Sequence, residues 1–270
     1  MGKSISYSQI SMFSSCQYQW YLTYVKNLKT FEGNVHTLFG NSMHEVLQKY
    51  LTTLYNASIK EADEMNLEYY LVEAMKKNFL KIKSEIGKNP CTLAEMDEFK
   101  KQGIEILDYF KKNRADYFSK KGYELVGVEV PLNIELKNNI RFVGYIDIII
   151  RDTLNDIIKI IDFKTSTTGW NDYAKKDESK ISQVIMYKKF YSEYYKHPID
   201  KIEVEFLILK RKLLENVNYP QKRIQKFSPP SGATSLKSIT KLLNDFIDNC
   251  FTVEGDYNIN KKYLKTEDIK

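Results

Sequence analysis

The chain has 270 residues, 43% of them apolar and 13% aromatic, and a formal net charge of +6. That composition excludes a disordered or fibrous chain, and its moderate basicity permits a nucleic-acid partner without requiring one. Cys16, Cys91 and Cys250 are odd in number and far apart, without the spacing of a disulfide framework. With no secretion signal and no apolar run of membrane-spanning length, the expectation is a soluble cytoplasmic protein with no membrane contact.

Ser4-Ile-Ser-Tyr-Ser8 offers hydroxyls that suit a helix cap, and Ile10 and Phe13 follow at helical spacing. The next stretch, Cys16 to Tyr24, is dense in aromatics. It reads either as a lid packed over the core or as a platform on which bases stack, with Tyr18 and Trp20 the candidate stacking residues. Gly40 to Leu54 is an amphipathic helix whose apolar stripe is Met43, Val46, Leu47, Tyr50, Leu51 and Leu54. His44 flanks that stripe, either as a satisfied core residue or as a ligand.

Residues 59–118 read as charged helices broken at Gly87-Lys-Asn-Pro90, wrapping a sheet and carrying no chemistry of their own. The Pro90 break is the best internal boundary but not a domain boundary. The expected organisation is one domain: a mainly helical part over 1–120, a sheet core over 121–230, and a C-terminal helix with a polar tail over 231–270.

The period changes at Tyr123. Leu125–Val130 and Arg141–Ile150 read as strands with a turn at Asn138-Asn139, and a second turn at 152–156 leads into Ile157-Ile-Lys-Ile-Ile-Asp-Phe-Lys-Thr165. Four isoleucines in five residues make a strand buried on both faces, and such a strand should not end on an acid and a lysine without a reason. Asp162 and Lys164, two apart, project from one face. Acid-x-Lys alone is cheap in this chain, since Glu98/Lys100 and Glu178/Lys180 also fit it. The apolar run before the pair and the strand that faces it set this one apart.

Register makes a demand. A two-residue Leu154-Asn155 turn or a four-residue loop over 153–156 places Asp147 across from Asp162, close enough for both carboxylates to share a cation. A hard divalent ion with oxygen ligands is the simplest counter-ion. After a loop over 166–177, the helix Ile181–Tyr191 sets Gln183 and Tyr187 on one face. The strand Ile202–Lys210 runs into Lys210-Arg211-Lys212, followed by Lys222, Arg223 and Lys226. Lys210, Arg211, Lys212 and Arg223 are the candidates for tracking a phosphate backbone, against the reading of a solvated face. A last amphipathic helix spans Ser235–Phe251, and the tail from Gly255 reads as polar and loose.

Five of these pieces, in this order and spacing, resemble the PD-(D/E)XK nuclease superfamily and, within it, the RecB-like exonucleases, which include CRISPR-associated and phage enzymes. They are Ser6-Tyr-Ser-Gln-Ile10 with Cys16, Gly40-Asn-Ser-Met-His44, Gly144-Tyr-Ile-Asp147, Ile161-Asp-Phe-Lys-Thr165 and Gln183-Val-Ile-Met-Tyr187. The resemblance implies an α/β (α+β) fold of the restriction-endonuclease kind: a mixed sheet with an antiparallel meander and a further strand, flanked by helices. It implies that His44, Asp147, Asp162 and the Phe163 carbonyl hold Mg²⁺ or Mn²⁺, with Glu129 a further acid. Lys164 would orient or deprotonate the attacking water, and Gln183 and Tyr187 would position the DNA or the lysine.

The activity implied is metal-dependent DNA exonuclease action leaving 5′ phosphates, in recombination, repair or phage DNA processing. The substrate would be single- or double-stranded DNA with a free end, the partner a recombination or replication protein, and the setting a bacterial or phage-infected cytoplasm. The competing readings are a catalytically silent DNA-binding scaffold, and an endonuclease or RNA-directed phosphodiesterase on the same fold. Some RecB-like members hold an iron–sulfur cluster with an N-terminal cysteine and three near the C-terminus. Cys16 matches the first, the trio is absent, and no cluster is expected; the chain stops on a polar tail where such a trio would begin, as a trimmed chain would.

Overall fold

The computed structural model of the chain describes residues 3–28 and 33–265. Its centre is a six-stranded mixed sheet: β1 (Ser4–Ile5), β2 (Tyr123–Glu135), β3 (Arg141–Asp152), β4 (Ile157–Ser166), β5 (Ile202–Lys210) and β6 (Ile224–Phe227). β2, β3 and β4 form the antiparallel meander expected from the sequence, β5 lies parallel to β4, and β6 returns antiparallel along β5. β2 occupies one edge of β3 along its whole length. The opposite edge is shared, with β4 pairing to residues 148–152 and β1 to Arg141 and Phe142. Residues 143–147 therefore have no ladder partner on that side, and the candidate site lies in this gap.

The helices are α1 (Tyr7–Ser15), α2 (Gln17–Trp20), α3 (Val35–Asn56), α4 (Ile59–Glu64), α5 (Leu67–Ile86), α6 (Leu93–Lys112), α7 (Asp172–Lys176), α8 (Glu178–Tyr195) and α9 (Ala233–Cys250). Their ends follow local chemistry. The Asn34 side chain accepts from the N–H groups of His36 and Thr37 to start α3, and Thr92 and Glu95 form a reciprocal capping box on α6. Gly87, at φ 71°, ends α5 in the left-handed conformation three residues before Pro90, so the break read from the sequence is a C-cap.

Both faces of the sheet are covered. On one side Phe142, Ile160, Phe206 and Ile208 pack with Phe190 of α8 and Phe246 of α9. On the other Ile148, Ile150, Phe163 and Leu209 pack with Leu47 and Leu51 of α3 and Phe110 of α6. Ile158 and Ile160 of β4 enter the first core and Ile161 and Phe163 the second, while Lys159 between them pairs with Glu203.

Three expectations change. β2 is longer at both ends than Leu125–Val130, because the twelve residues of β3 offer partners along its whole length. β1 and β6 are additional, too short for an alternating pattern to show. The tail is not loose as far as residue 265: Tyr263 stacks on Tyr21 at 5.0 Å between ring centroids and lies 5.5 Å from Trp20. An exposed aromatic is costly in water, and this one has a bed of rings to enter. Residues 266–270 of the predicted tail lie outside the described residues. Among the described residues no helix is long and apolar enough to cross a membrane.

Candidate active site

β3 and β4 pair Asp152 with Ile157 and continue to Ile148 opposite Ile161. The loop between them is thus the four-residue alternative, and the next pair in register would be Asp147 opposite Asp162. The ladder stops there. The backbone N–H of Phe163 donates instead to Asp147 Oδ2 at 2.8 Å, so a carboxylate replaces a main-chain carbonyl at the point where the strands part.

The other edge of β3 contributes a second irregularity. β2 pairs Val128 with Ile148 and Val130 with Ile146, but Glu129, opposite Asp147, is missing from the ladder and sits at φ 48°. A left-handed residue inside a strand rotates the residues after it relative to those before. Accordingly Val128 and Ile148 belong to the core under α3, whereas Val130 and Ile146 belong to the core under α8. A non-glycine residue held at positive φ stores about 1 kcal/mol or more of strain. Gln48 of α3 donates to Glu129 Oε1 at 2.6 Å and fixes the side chain.

Lys164 leaves β4 on the α8 side. Its Nζ lies 2.7 Å from Asp162 Oδ2 and 2.9 Å from Gln183 Oε1, and Gln183 Nε2 donates to the Tyr187 hydroxyl at 3.0 Å. The predicted pairing of Gln183 with Tyr187 on one helical face therefore ends on the lysine. Gly144 makes room for it: a Cβ there would lie 3.2 Å from Tyr187 Cε1, so the glycine of Gly144-Tyr-Ile-Asp147 lets the tyrosine ring lie against β3. Asp162 Oδ2 is fully buried, and its partner is the Lys164 ammonium. A buried carboxylate is costly unless it is paired, and here Lys164 supplies the pair.

His44 faces the same gap from α3, with Nδ1 3.4 Å from Asp147 Oδ2 and its ring edge-on to Phe163. Burial pulls the His44 pKa down, more strongly than the charge of Asp162 raises it, and favours the neutral imidazole. For Asp147 burial comes first and the Asp162 charge second; together they lift its carboxyl well above the usual range, against Lys164 and the Phe163 N–H. Burial works against the Lys164 ammonium, but Asp162 and then Asp147 outweigh it and leave its pKa raised. Burial is also the main cause that lifts the Tyr187 hydroxyl, keeping it protonated.

Two carboxylates, a neutral imidazole and the Phe163 carbonyl are donors that suit a hard divalent cation. Their side chains are engaged internally, Asp162 with Lys164 and Glu129 with Gln48. Among the described residues no three His, Cys, Asp or Glu side chains are gathered closely enough to hold a metal.

The remaining residues predicted from the sequence fall elsewhere. Trp20 has no exposed surface and meets Phe13, Phe246, Phe251 and Tyr257 edge-on, so it belongs to the lid and presents no stacking face. Tyr18 is half-buried. Arg211 is buried, its guanidinium donating to Gln102 Oε1 and Thr167 Oγ1 and lying 4.2 Å over the Phe99 ring. Arg223 pairs with Glu105 and Lys212 with Glu98. Arg211 and Arg223 are thus tied to α6, exposed Lys212 makes only a surface pair with Glu98, and half-buried Lys210 has no side-chain hydrogen bond or ion pair among the described residues. Two further features join the site that the sequence pattern did not single out. Gln48 lies one helical turn beyond His44, a position that i,i+4 spacing could have signalled. A hollow of about 460 Å³ lined by hydroxyls of α1 (Tyr7, Ser8, Ser11, Ser15) together with Gln19 reaches Gln183; its Tyr7 and Ser8 belong to the Ser6–Ile10 piece, which carried no site role in the sequence reading.

The sheet with a parted β3–β4 pair, an acid on each strand and a lysine two residues on defines a nuclease fold. The family model of the PD-(D/E)XK nuclease superfamily matches residues 4–252, and the chain belongs to that superfamily. Its members generally use divalent metal ions. Among solved structures, a protein from Eubacterium rectale described as a candidate exonuclease is similar at 13% identity and a TM-score of 0.49, covering 91% of this chain and 83% of that one. SSO0001 is similar at 14% identity and a TM-score of 0.30, covering 84% of this chain and 82% of its own. No curated protein matches the chain.

Proposed function

We propose that this member of the superfamily is a metal-dependent DNA exonuclease that hydrolyses phosphodiester bonds to leave 5′ phosphates. One observation carries the reading: the Lys164 ammonium is held between Asp162 and Gln183, beside an Asp147 carboxylate that replaces a rung of the sheet. Asp147, Asp162, His44 and the Phe163 carbonyl are the residues that would hold Mg²⁺ or Mn²⁺. When bound, the cation polarises the phosphoryl oxygen and lowers the pKa of a water. Lys164, fixed by Gln183, meets the negative charge that grows on the phosphate oxygens. Tyr187 holds Gln183, so it acts on the reaction through position alone. The requirement for a DNA end is supported by the likeness of the five sequence pieces to RecB-like exonucleases.

The test is digestion of end-labelled linear and closed circular DNA with Mg²⁺, with Mn²⁺ and with EDTA. Linear DNA is expected to shorten from its ends while circles survive. Lys164→Ala and Asp147→Ala are each expected to lose about 100-fold or more of the rate, the scale of removing a charge-stabilising group. Undiminished cutting by both variants would overturn the assignment, and cut circles would make the enzyme an endonuclease.

A further inference from the structure

A second cluster of cations lies at the same end of the sheet, outside the residues just described. β4 and β5 are parallel, and ligands of open α/β sheets gather beyond the carboxyl ends of such strands. Ser166 of β4 pairs with Lys210 of β5, one strand over and two residues beyond Lys164, so the backbones at 164 and 210 are about 8 Å apart by strand geometry, while Tyr117 and Ile224 of the hollow belong to the core on the α3 side of the sheet. There a hollow of about 590 Å³ opens, lined by Lys120, Lys210, Lys222 and Lys226 with Tyr117 and Thr168.

The hollow is built rather than left over. Its wall includes the loop that leaves β4, which buried Arg211 clamps by donating to Thr167 Oγ1 at 2.7 Å, while the Arg211 N–H bonds the Ser166 carbonyl at 2.9 Å. Gly169, at φ 105°, lets the loop press on its neighbours: a Cβ there would lie 2.9 Å from Gln225 Oε1 and 3.0 Å from Lys210 Cδ. Lys226 donates to the Asp116 carbonyl at 2.6 Å and lies 4.9 Å over the Tyr117 ring. Lys222 is 3.9 Å from the Asp116 carboxylate. The Lys210 ammonium makes no hydrogen bond or ion pair among the described residues. Burial, then the nearby Arg223, lowers its pKa; burial and Lys120 do the same to Lys226, with Glu205 and Asp116 opposing. Four lysines around one lining acid leave positive charge uncompensated.

We infer that this hollow binds backbone phosphates of the DNA strand being processed, on one side of the bond that is cut. It is a positioning surface, and it deepens the nuclease reading, on which it rests for the identity of its ligand. Lysines take phosphates as point charges without reading base sequence, so the surface would guide a strand of any sequence past Lys164.

The experiment is fluorescence anisotropy of a labelled oligonucleotide of about 20 residues in EDTA, from about 50 to 200 mM salt. Wild type is compared with Lys120→Ala/Lys222→Ala/Lys226→Ala and with the charge-keeping triple arginine variant. Each phosphate left without its lysine takes about 0.7 off the slope of log affinity against log salt on a single strand. The alanine variant should bind more weakly with a slope smaller by up to about 2, and the arginine variant should keep the wild-type slope. Lys222→Ala alone, at an exposed position, should lower the slope by about 0.7 and stands in if the triple variant misfolds. Equal slopes for wild type and alanine variants would overturn the inference. So would displacement of poly-glutamate but not DNA by the same substitutions, which would make the occupant an acidic protein segment. The same oligonucleotide with Mg²⁺ separates the two claims. A chain that binds it through these lysines without cutting sinks the nuclease reading alone; a chain that cuts it with unchanged slopes sinks this one alone.

Discussion

At the scale of single residues, the site stores a conflict that its chemistry would use. Asp147 and Asp162 bring two negative charges to one buried gap, and burial, then the Asp162 charge, lifts the Asp147 carboxyl. Asn at 147 would keep an oxygen to accept the Phe163 N–H while removing the charge. Asp147→Asn should therefore be more stable than wild type in EDTA by about 1 kcal/mol, although it loses activity. Urea unfolding in the absence of metal measures it, and an Asn variant less stable than wild type would show that the repulsion is already relieved by Lys164. Mg²⁺ should raise the wild-type unfolding midpoint by binding the folded state only and leave the Asn variant nearly unmoved.

At the scale of elements, β2, β3 and the loop after it set where the acids fall. Asp152 closes that loop by accepting from the Asn155 side chain at 2.8 Å and from the N–H groups of Leu154 and Asn155 at 3.2 Å. Those bonds, the Asn155 side chain first, hold its carboxyl below the usual range. A lowered folded-state pKa means stability that is present above the unfolded value of about 3.9 and lost as pH falls through the folded value. Asp152→Asn should flatten the acid limb of the stability curve, and Asp152→Ala should cost about 1–2 kcal/mol at neutral pH; an acid limb as steep as wild type would count against it. Glu129 gives a different signature. Glycine in a strand ordinarily destabilises relative to alanine, but at φ 48° the order reverses. Glu129→Gly should unfold at higher urea than Glu129→Ala by about 1 kcal/mol, and the opposite order would deny the strain.

The parts of this arrangement legible in the sequence are those that one strand dictates to its neighbour. The isoleucine run defines β4, and apolar alternation narrows the β3–β4 loop to an even count, which is why Asp147 and Asp162 can be matched from the residues alone. Glu129 cannot be read the same way, because a left-handed backbone angle leaves no mark on a Glu between two valines. The cations fail for a related reason. Arg211 and Arg223 find Gln102 and Glu105 on α6, more than a hundred residues away, and no local pattern announces such partners. Lys120 belongs to the basic hollow yet precedes the sheet by a short turn, so it stands apart from the 210–226 cluster in the chain.

At the scale of the whole molecule, the two cores draw on different parts of the chain. The core under α3 is built from the middle, and the core under α8 from both ends, with Ile5, Trp20, Phe246 and Tyr263 meeting on it. They share only the sheet, and the candidate site lies where the strands change allegiance between them. If the sheet couples them, damage at the C-terminal edge should unfold the distant helices too. Tyr263→Ala removes a buried ring stacked on Tyr21 and should cost about 3 kcal/mol. Trp20 and Trp170 both report on the end-built core, whereas far-UV circular dichroism is dominated by helices that include α3, α5 and α6 of the other. The variant should lose tryptophan fluorescence and helix signal in one coincident urea transition, shifted to lower denaturant. Helix signal that outlasts the fluorescence change would mean that the two cores fold separately, and that the site between them is assembled only when both are intact.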